Sequence, residues 1–260
     1  MPSIFITGAT AGFGRAIALK FAQHHWSIII NGRRTDRLRT LEDEIKNLGA
    51  DVISLPFDVR NEQQVNEAIE NLPIKWKQID ALVNNAGLAA GVNLIQDGKT
   101  EDWNTMIDTN VKGLLYVTKN IIPLMIKQKS GHIVVVSSIA GKFGFYLRSS
   151  YSAAKHALHG YFESLRLETE KKGIKILLVC PGKVKTNISL NASTASGAHG
   201  KMDESHENAM SAEEASKQII AGISNNSEEI LIGGKEIKAI TLRRFFPKWF
   251  GKIIRKQSPF

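Results

Sequence analysis

Short, almost continuously apolar runs alternate along the chain with longer segments in which apolar residues recur every three or four positions. Runs at 3–7, 27–31, 52–55, 79–83, 133–136 and 174–179 read as strands, and 229–232 as a seventh. The intervening segments predict helices over 15–25, 36–47, 61–71, 101–127, 150–172 and 213–224. The third opens on Asn61-Glu-Gln-Gln, a cap-like sequence. Strands that are apolar on both faces and separated by helices predict a parallel sheet covered on both sides. Right-handed crossovers then give an α/β fold, a single Rossmann-type doubly wound parallel sheet of about seven strands with ligands beyond the strands' carboxyl ends.

The 260 residues, 43% of them hydrophobic, suffice for one large core. No apolar run approaches the length needed to cross a bilayer. The first residues lack a basic-then-apolar leader, and one cysteine, Cys180, allows no internal disulfide framework. A cytoplasmic location is therefore expected. The net charge of +9 is unevenly placed: residues 235–260 carry +7 and the rest +2. A nearly neutral body lacks the distributed basic face of a nucleic-acid binder.

This asymmetry divides the chain into a domain at 1–234 and a basic, aromatic extension at 235–260. Phe246, Trp249, Phe250, Ile253 and Ile254 recur there at helical spacing, with Lys248, Lys252, Arg255 and Lys256 between them. Pro247 suits a first helical turn. Such a helix can dock on the body or on another subunit, or make a peripheral membrane contact through residues 240–256.

Candidate chemistry begins where the first strand meets the first helix, at Thr7-Gly8-Ala-Thr10-Ala-Gly12-Phe13-Gly14. Glycines here permit positive φ and let backbone N–H groups approach a pyrophosphate. The spacing differs from Gly-x-Gly-x-x-Gly and is not a Walker loop; an ordinary tight turn is the plain alternative. The second strand ends in Gly32-Arg33-Arg34, without the acid that would accept from the ribose hydroxyl of NAD. Arg33 and Arg34, with Arg15, point to the 2′-phosphate of NADP(H), unless they are merely solvated surface charge.

Tyr151 and Lys155 lie four apart on a predicted helix and so on one face. A nearby ammonium favours the phenolate, bringing a tyrosine towards acid/base use. Ser138, at the end of the fifth strand, reaches the same sheet edge, where its hydroxyl can bond an oxygen that gains charge. A lone Tyr-x-x-x-Lys is common by chance; its weight comes from its surroundings.

Those surroundings resemble the short-chain dehydrogenase/reductase family over residues 3–232. The glycine motif, Asp58-Val59, Asn84-Asn-Ala86-Gly87, Asn110, Ser138 thirteen residues before Tyr151, and Pro181-Gly182 occur in the family's order. The resemblance implies an oxidoreductase that moves hydride between NADP(H) and a carbonyl or secondary alcohol. It makes Tyr151 the proton donor and Lys155 its electrostatic partner and a holder of the nicotinamide ribose. Ser138, rather than Ser137, orients the carbonyl, and Asn110 supports a water relay. Cofactor contacts are implied for Gly8, Thr10, Gly12, Phe13, Gly14, Asp58, Val59, Asn84, Ala86, Gly87, Pro181, Gly182, Val184 and Thr186.

The first half is similar to bacterial NADP-dependent dehydrogenases of serine and other 3-hydroxy acids. The second half is similar to animal reductases of lipid, steroid or retinoid-like carbonyls, and an apolar carbonyl substrate is expected from it. A small 3-hydroxy acid is the alternative, and a non-catalytic NADP-binding regulator the alternative of another class. The family also implies a homodimer or homotetramer built on the two long helices.

Other features are open to plainer readings. Phe143, Phe145 and Tyr146 could wall the substrate or simply pack. The seven histidines show no metal-ligand spacing, so no metal is expected. His156 and His159 read as surface or packing residues and Cys180 as a small core residue. The polar stretch 187–211 is a candidate lid.

Overall fold

The structure, a computed structural model, describes residues 1–185 and 209–256. Seven parallel strands form one sheet in the order β3-β2-β1-β4-β5-β6-β9. They are β1 (Ser3–Ile6), β2 (Ser27–Gly32), β3 (Val52–Pro56), β4 (Ala81–Asn84), β5 (Gly131–Val136), β6 (Ile174–Pro181) and β9 (Glu229–Ile232). Two short strands unannounced by any sequence pattern, β7 (Val184–Lys185) and β8 (Met210–Ser211), pair in parallel at the ends of the undescribed stretch. Of the candidate lid, only residues 209–211 are described.

The side-chain alternation of a strand explains why the runs are apolar throughout. On one face Ile4, Ile6, Ile28, Ile30, Val83 and Val134 pack with helices α1 (Gly12–Gln23), α2 (Thr35–Asn47) and α7 (Ala212–Ser224). On the other, Phe5, Ile29, Leu82, Ile133 and Val135 meet α3 (Glu62–Glu70), α5 (Gly113–Gln128) and α6 (Ser149–Thr169). The chain winds outward from β1 to β3, then crosses back to β4. This reversal leaves a crevice beyond the carboxyl ends of β1 and β4.

One predicted element is divided. The helix expected over 101–127 is α4 (Thr100–Ile107), a π-helical turn at Asp108–Lys112, and then α5. Asn110 sits in that turn with its side chain fully buried; its Oδ1 accepts from Leu88 N and its Nδ2 donates to Leu88 O, both at 2.8 Å. A π turn inside a helix commonly marks a side chain committed elsewhere.

The extension forms α8 (Lys238–Phe245) and α9 (Pro247–Arg255), with Pro247 in the first turn. Phe250 meets Phe143 edge to face at 5.0 Å, and Phe143 lies 4.7 Å from Phe145. Phe143 is thus a packing residue, 3% exposed. Just before α8, Glu236 Oε1 accepts from Lys183 N at 2.9 Å and Gly234 N at 3.1 Å, stapling the extension to the loop after β6.

Behind the end of β5 lies a polar cluster. His159 Nε2 is 3.1 Å from Ser137 Oγ and 3.7 Å from Cys180 Sγ; its Nδ1 is 3.2 Å from Lys142 Nζ. Lys142 bonds Glu229, and Glu163 also faces His159 Nδ1 at 3.7 Å. His159, Cys180 and Glu229 come close enough to hold an ion, but the Lys142 ammonium already binds the carboxylate and faces the imidazole. Burial pushes the Cys180 thiol up to about 12, so it stays protonated.

Burial first, then Lys142, His156, Lys155 and Arg166, push the His159 pKa down to about 4 from 6.5. Between those values the unfolded chain binds a proton that the folded chain refuses, so stability falls as pH drops through the window. Urea unfolding from pH 7 to pH 4 should show a shallower loss of stability in His159→Asn than in the unmodified protein. Equal slopes would contradict a neutral, buried His159.

Candidate active site

The glycine turn is shaped by contacts with the strand across the crevice. Gly8 has φ +64°, and a Cβ there would stand 2.9 Å from Ala86 Cα; one at Gly14 would stand 2.5 Å from Gly8 O. Thr7 Oγ1 accepts from Asn85 N and Ala86 N, each at 3.0 Å. Asn85 Nδ2 returns bonds to Thr7 O at 2.9 Å and Gly8 O at 3.1 Å. The turn is therefore laced to the loop after β4, leaving a backbone-lined cradle at the start of α1.

Asn85 and Thr7 were missed as site residues by sequence reasoning, although both lie inside the quoted motifs. The side chain of Asn84, expected to line the cofactor, is instead fully buried and donates to Thr118 Oγ1 at 2.7 Å on α5. Strand alternation explains the exchange: Asn84 is the last β4 residue and faces the helix layer, while Asn85, just past the strand, faces the cleft. Ala86 is buried and Gly87 lines the cleft.

At the end of β2, Arg34 Nη2 donates to Thr10 Oγ1 at 3.0 Å, bringing its guanidinium onto the glycine turn. Arg33 is largely exposed and lies 3.7 Å from Asp58. Arg15 is engaged with Glu44 of α2. Burial pushes the Asp58 carboxyl up, but Arg60, bonded through side chain and backbone, and then Arg33 hold it below its ordinary value. Val59 is buried against Gly113.

Four further side chains converge beyond β4, β5 and β6. Lys155, 4% exposed, donates from Nζ to Val136 O at 2.8 Å and lies 5.8 Å from the Tyr151 ring centre. Burial lowers its ammonium to about 8. A Cβ on Gly87 would stand 3.2 Å from Asn110 Oδ1 and 3.6 Å from Lys155 Nζ, so the glycine keeps that corner from crowding the two polar groups. Burial raises the Tyr151 phenol, while the Ser138 hydroxyl and the Arg148 guanidinium pull it back. Ser138 Oγ accepts from Ala140 N at 3.1 Å beside Pro181 O. Ser137 turns the other way, to Lys155 O and His159.

Ser138, Tyr151 and Lys155 line an open cleft, with Phe13, Asn85 and Gly87 on one side and Pro181, Gly182 and Val184 on the other, and Asn110 is buried behind Gly87. The glycine cradle, an arginine-bearing strand end and a buried ammonium fit a dinucleotide with an extra phosphate. Thr186 lies outside the described residues. Tyr151 also borders a second pocket away from the cradle, walled by Leu94, Trp103, Met106 and Leu147 together with Asp102 and Arg148. Phe143, Phe145 and Tyr146 line neither pocket. The arrangement can place a carbonyl between a phenol and a cofactor.

Known proteins share this architecture. The short chain dehydrogenase family model matches residues 2–196. The chain is 40% identical to the NADP-dependent 3-hydroxy acid dehydrogenase of Salmonella typhi over 70% of its own length and 72% of that protein's. It is 34% identical to the dehydrogenase/reductase SDR family member 7B of Xenopus laevis over 98% of its length and 81% of that protein's. The solved closed form of a serine dehydrogenase complexed with NADP+ matches with a TM-score of 0.82 at 33% identity, covering 89% of this chain and 94% of that one. Motif order, sheet order and these likenesses agree: the chain belongs to the short-chain dehydrogenase/reductase family.

Proposed function

We propose that the protein is an NADP(H)-dependent oxidoreductase that interconverts a carbonyl and a secondary alcohol at Tyr151. The observation that carries this reading is the convergence of Ser138, Tyr151 and Lys155 on one cleft that reaches Phe13 of the glycine turn, with Asn110 beside Lys155 at the Gly87 corner. Bound NADPH supplies a hydride to the carbonyl carbon. Ser138 holds the carbonyl oxygen, and Tyr151 gives it a proton. The buried Lys155 ammonium stabilises the phenolate left behind and holds the nicotinamide ribose. Asn110, fixed at Leu88 and facing the same corner as Lys155, positions a water that returns the proton. Arg34 and Arg33 take the 2′-phosphate, and Asp58 borders the adenine.

The pocket beyond Tyr151 supports a substrate with an apolar portion against Leu94, Trp103, Met106 and Leu147. A 3-hydroxy acid is the second reading, favoured by the name of the Salmonella typhi relative and by the guanidinium in the same pocket. Tyr161 and Leu167, exposed on α6, suit a homo-oligomer built on the long helices.

Among the described residues no helix is long and apolar enough to cross a membrane. The extension nevertheless suits the cytoplasmic surface of one. Phe250 anchors α9 to the body, whereas Phe245, Phe246, Trp249 and Ile253 are 64%, 60%, 67% and 49% exposed. Seven Lys and Arg side chains accompany them, with no acid between residues 237 and 256. Aromatic residues among cations match the interface of an anionic bilayer, where each cation contributes about 1 kcal/mol.

Three outcomes are expected. Tyr151→Phe should lose roughly 10²–10⁴-fold in turnover of NADPH against a panel of carbonyls while binding NADPH unchanged, and Lys155→Ala should lose both; near-normal turnover in Tyr151→Phe contradicts the assignment. Arg33→Ala and Arg34→Ala should each weaken NADPH by roughly tenfold and spare NADH; equal efficiency of the unmodified enzyme with both cofactors contradicts it. The full chain should sediment with phosphatidylserine-containing liposomes at low salt, and a Trp249→Glu, Ile253→Glu variant should not. An unmodified chain left in the supernatant removes the membrane contact.

A further inference from the structure

The pocket beyond Tyr151 contains a charge that no carboxylate among the described residues answers. Arg148 stands directly before α6, three residues ahead of Tyr151, and lines the pocket. Its Nη1 is buried without a hydrogen-bond partner, and no ion pair joins the guanidinium to a carboxylate among the described residues. Asp102 lines the same pocket but forms no such pair. A desolvated guanidinium nitrogen left unbonded is costly, and such groups are normally answered by an anion or a fixed acceptor.

The backbone holds this charge in place. Leu147 adopts φ +58°, a left-handed conformation uncommon for a leucine, and Arg148 N donates to Phe145 O at 3.2 Å. Ser152 N then donates to Arg148 O at 2.8 Å, continuing the chain into α6. The guanidinium is also close enough to Tyr151 to act on its phenol. Positions three apart on a helix are neighbours, about 5–6 Å between Cβ atoms.

The geometry points to Arg148 as a substrate-binding residue that takes a carboxylate of the substrate while Tyr151 takes the carbonyl oxygen. A single guanidinium matches a singly charged carboxylate through its planar fork. A phosphate dianion would add a second charge beside Asp102, with no second cation on the pocket wall among the described residues. Leu94, Trp103, Met106 and Leu147 take the carbon chain. The substrate class is therefore an oxo acid, or the corresponding hydroxy acid, with a short spacing between the two oxygen-bearing groups. This rests on the reductase reading above and adds to it the residue that selects the acid.

Calorimetric titration of the NADP+-loaded protein with hexanoate and with hexanamide tests it without requiring turnover. Hexanoate should bind roughly tenfold or more tightly than the amide, as a charge-assisted contact implies. Arg148→Met should abolish that preference with NADP+ affinity unchanged, and Arg148→Lys should restore part of it. Absence of a preference in the unmodified protein overturns the assignment, as does a preference that survives in a folded, NADP+-binding Arg148→Met. Failure of the enzyme to oxidise NADPH with any carbonyl would instead strike the reductase reading, which these titrations do not measure.

Discussion

The ammonium of Lys155 is taken almost wholly out of water and donates to the Val136 carbonyl at 2.8 Å. Its position relative to Tyr151 is a consequence of α6, which carries both residues one turn apart. Its position relative to the cofactor cleft is a consequence of β5, whose last residue supplies the acceptor and whose following residues supply Ser138. Hydrophobic burial on both sheet faces fixes β5 and α6 together, through Ile133 and Val135 on one side and Leu158 and Phe162 on the other. The charge that the proposed chemistry uses is thus held by the same packing that makes the fold.

That arrangement joins the proposed substrate side to the cofactor side through one residue. Tyr151 borders both pockets, so a carbonyl presented to its hydroxyl is necessarily near the cleft where the cradle would place a dinucleotide. The cradle depends on Thr7 and Asn85, which satisfy four backbone groups across the crevice between β1 and β4. Asn110 completes the corner from a third direction, and its two bonds to Leu88 give a physical reason for the π turn that divides the long helix.

Much of this was legible in the sequence because it follows from local pattern. Continuous apolar runs gave the strands, and Gly8, Gly12 and Gly14 marked the first turn. The placement of Ser138, Tyr151 and Lys155 on one edge followed from a strand end and a helical spacing. What was not legible depends on partners distant in the chain. The break at Asp108–Lys112 needs Leu88, 22 residues away, and the inward turn of Asn84 needs Thr118. The packing of Phe143 against Phe250 joins segments whose meeting no periodicity announces. Arg148 lay beside the recognised tyrosine, but only a buried Nη1 without a partner among the described residues distinguishes it from an ordinary surface arginine.

On the proposed reading, the reduction needs a protonated Tyr151 and a charged Lys155 together. Burial keeps the phenol protonated at neutral pH and brings the ammonium to about 8. A lysine with a depressed pKa is charged below that value and loses its charge as pH rises through it, with the apparent value belonging to the coupled pair. The most direct measurement is the pH dependence of single-turnover carbonyl reduction, followed by NADPH absorbance with saturating cofactor. The rate should hold steady below about pH 8 and fall above it. A rate that stays level or climbs as the solution becomes more alkaline would contradict proton donation by a tyrosine supported by a buried ammonium.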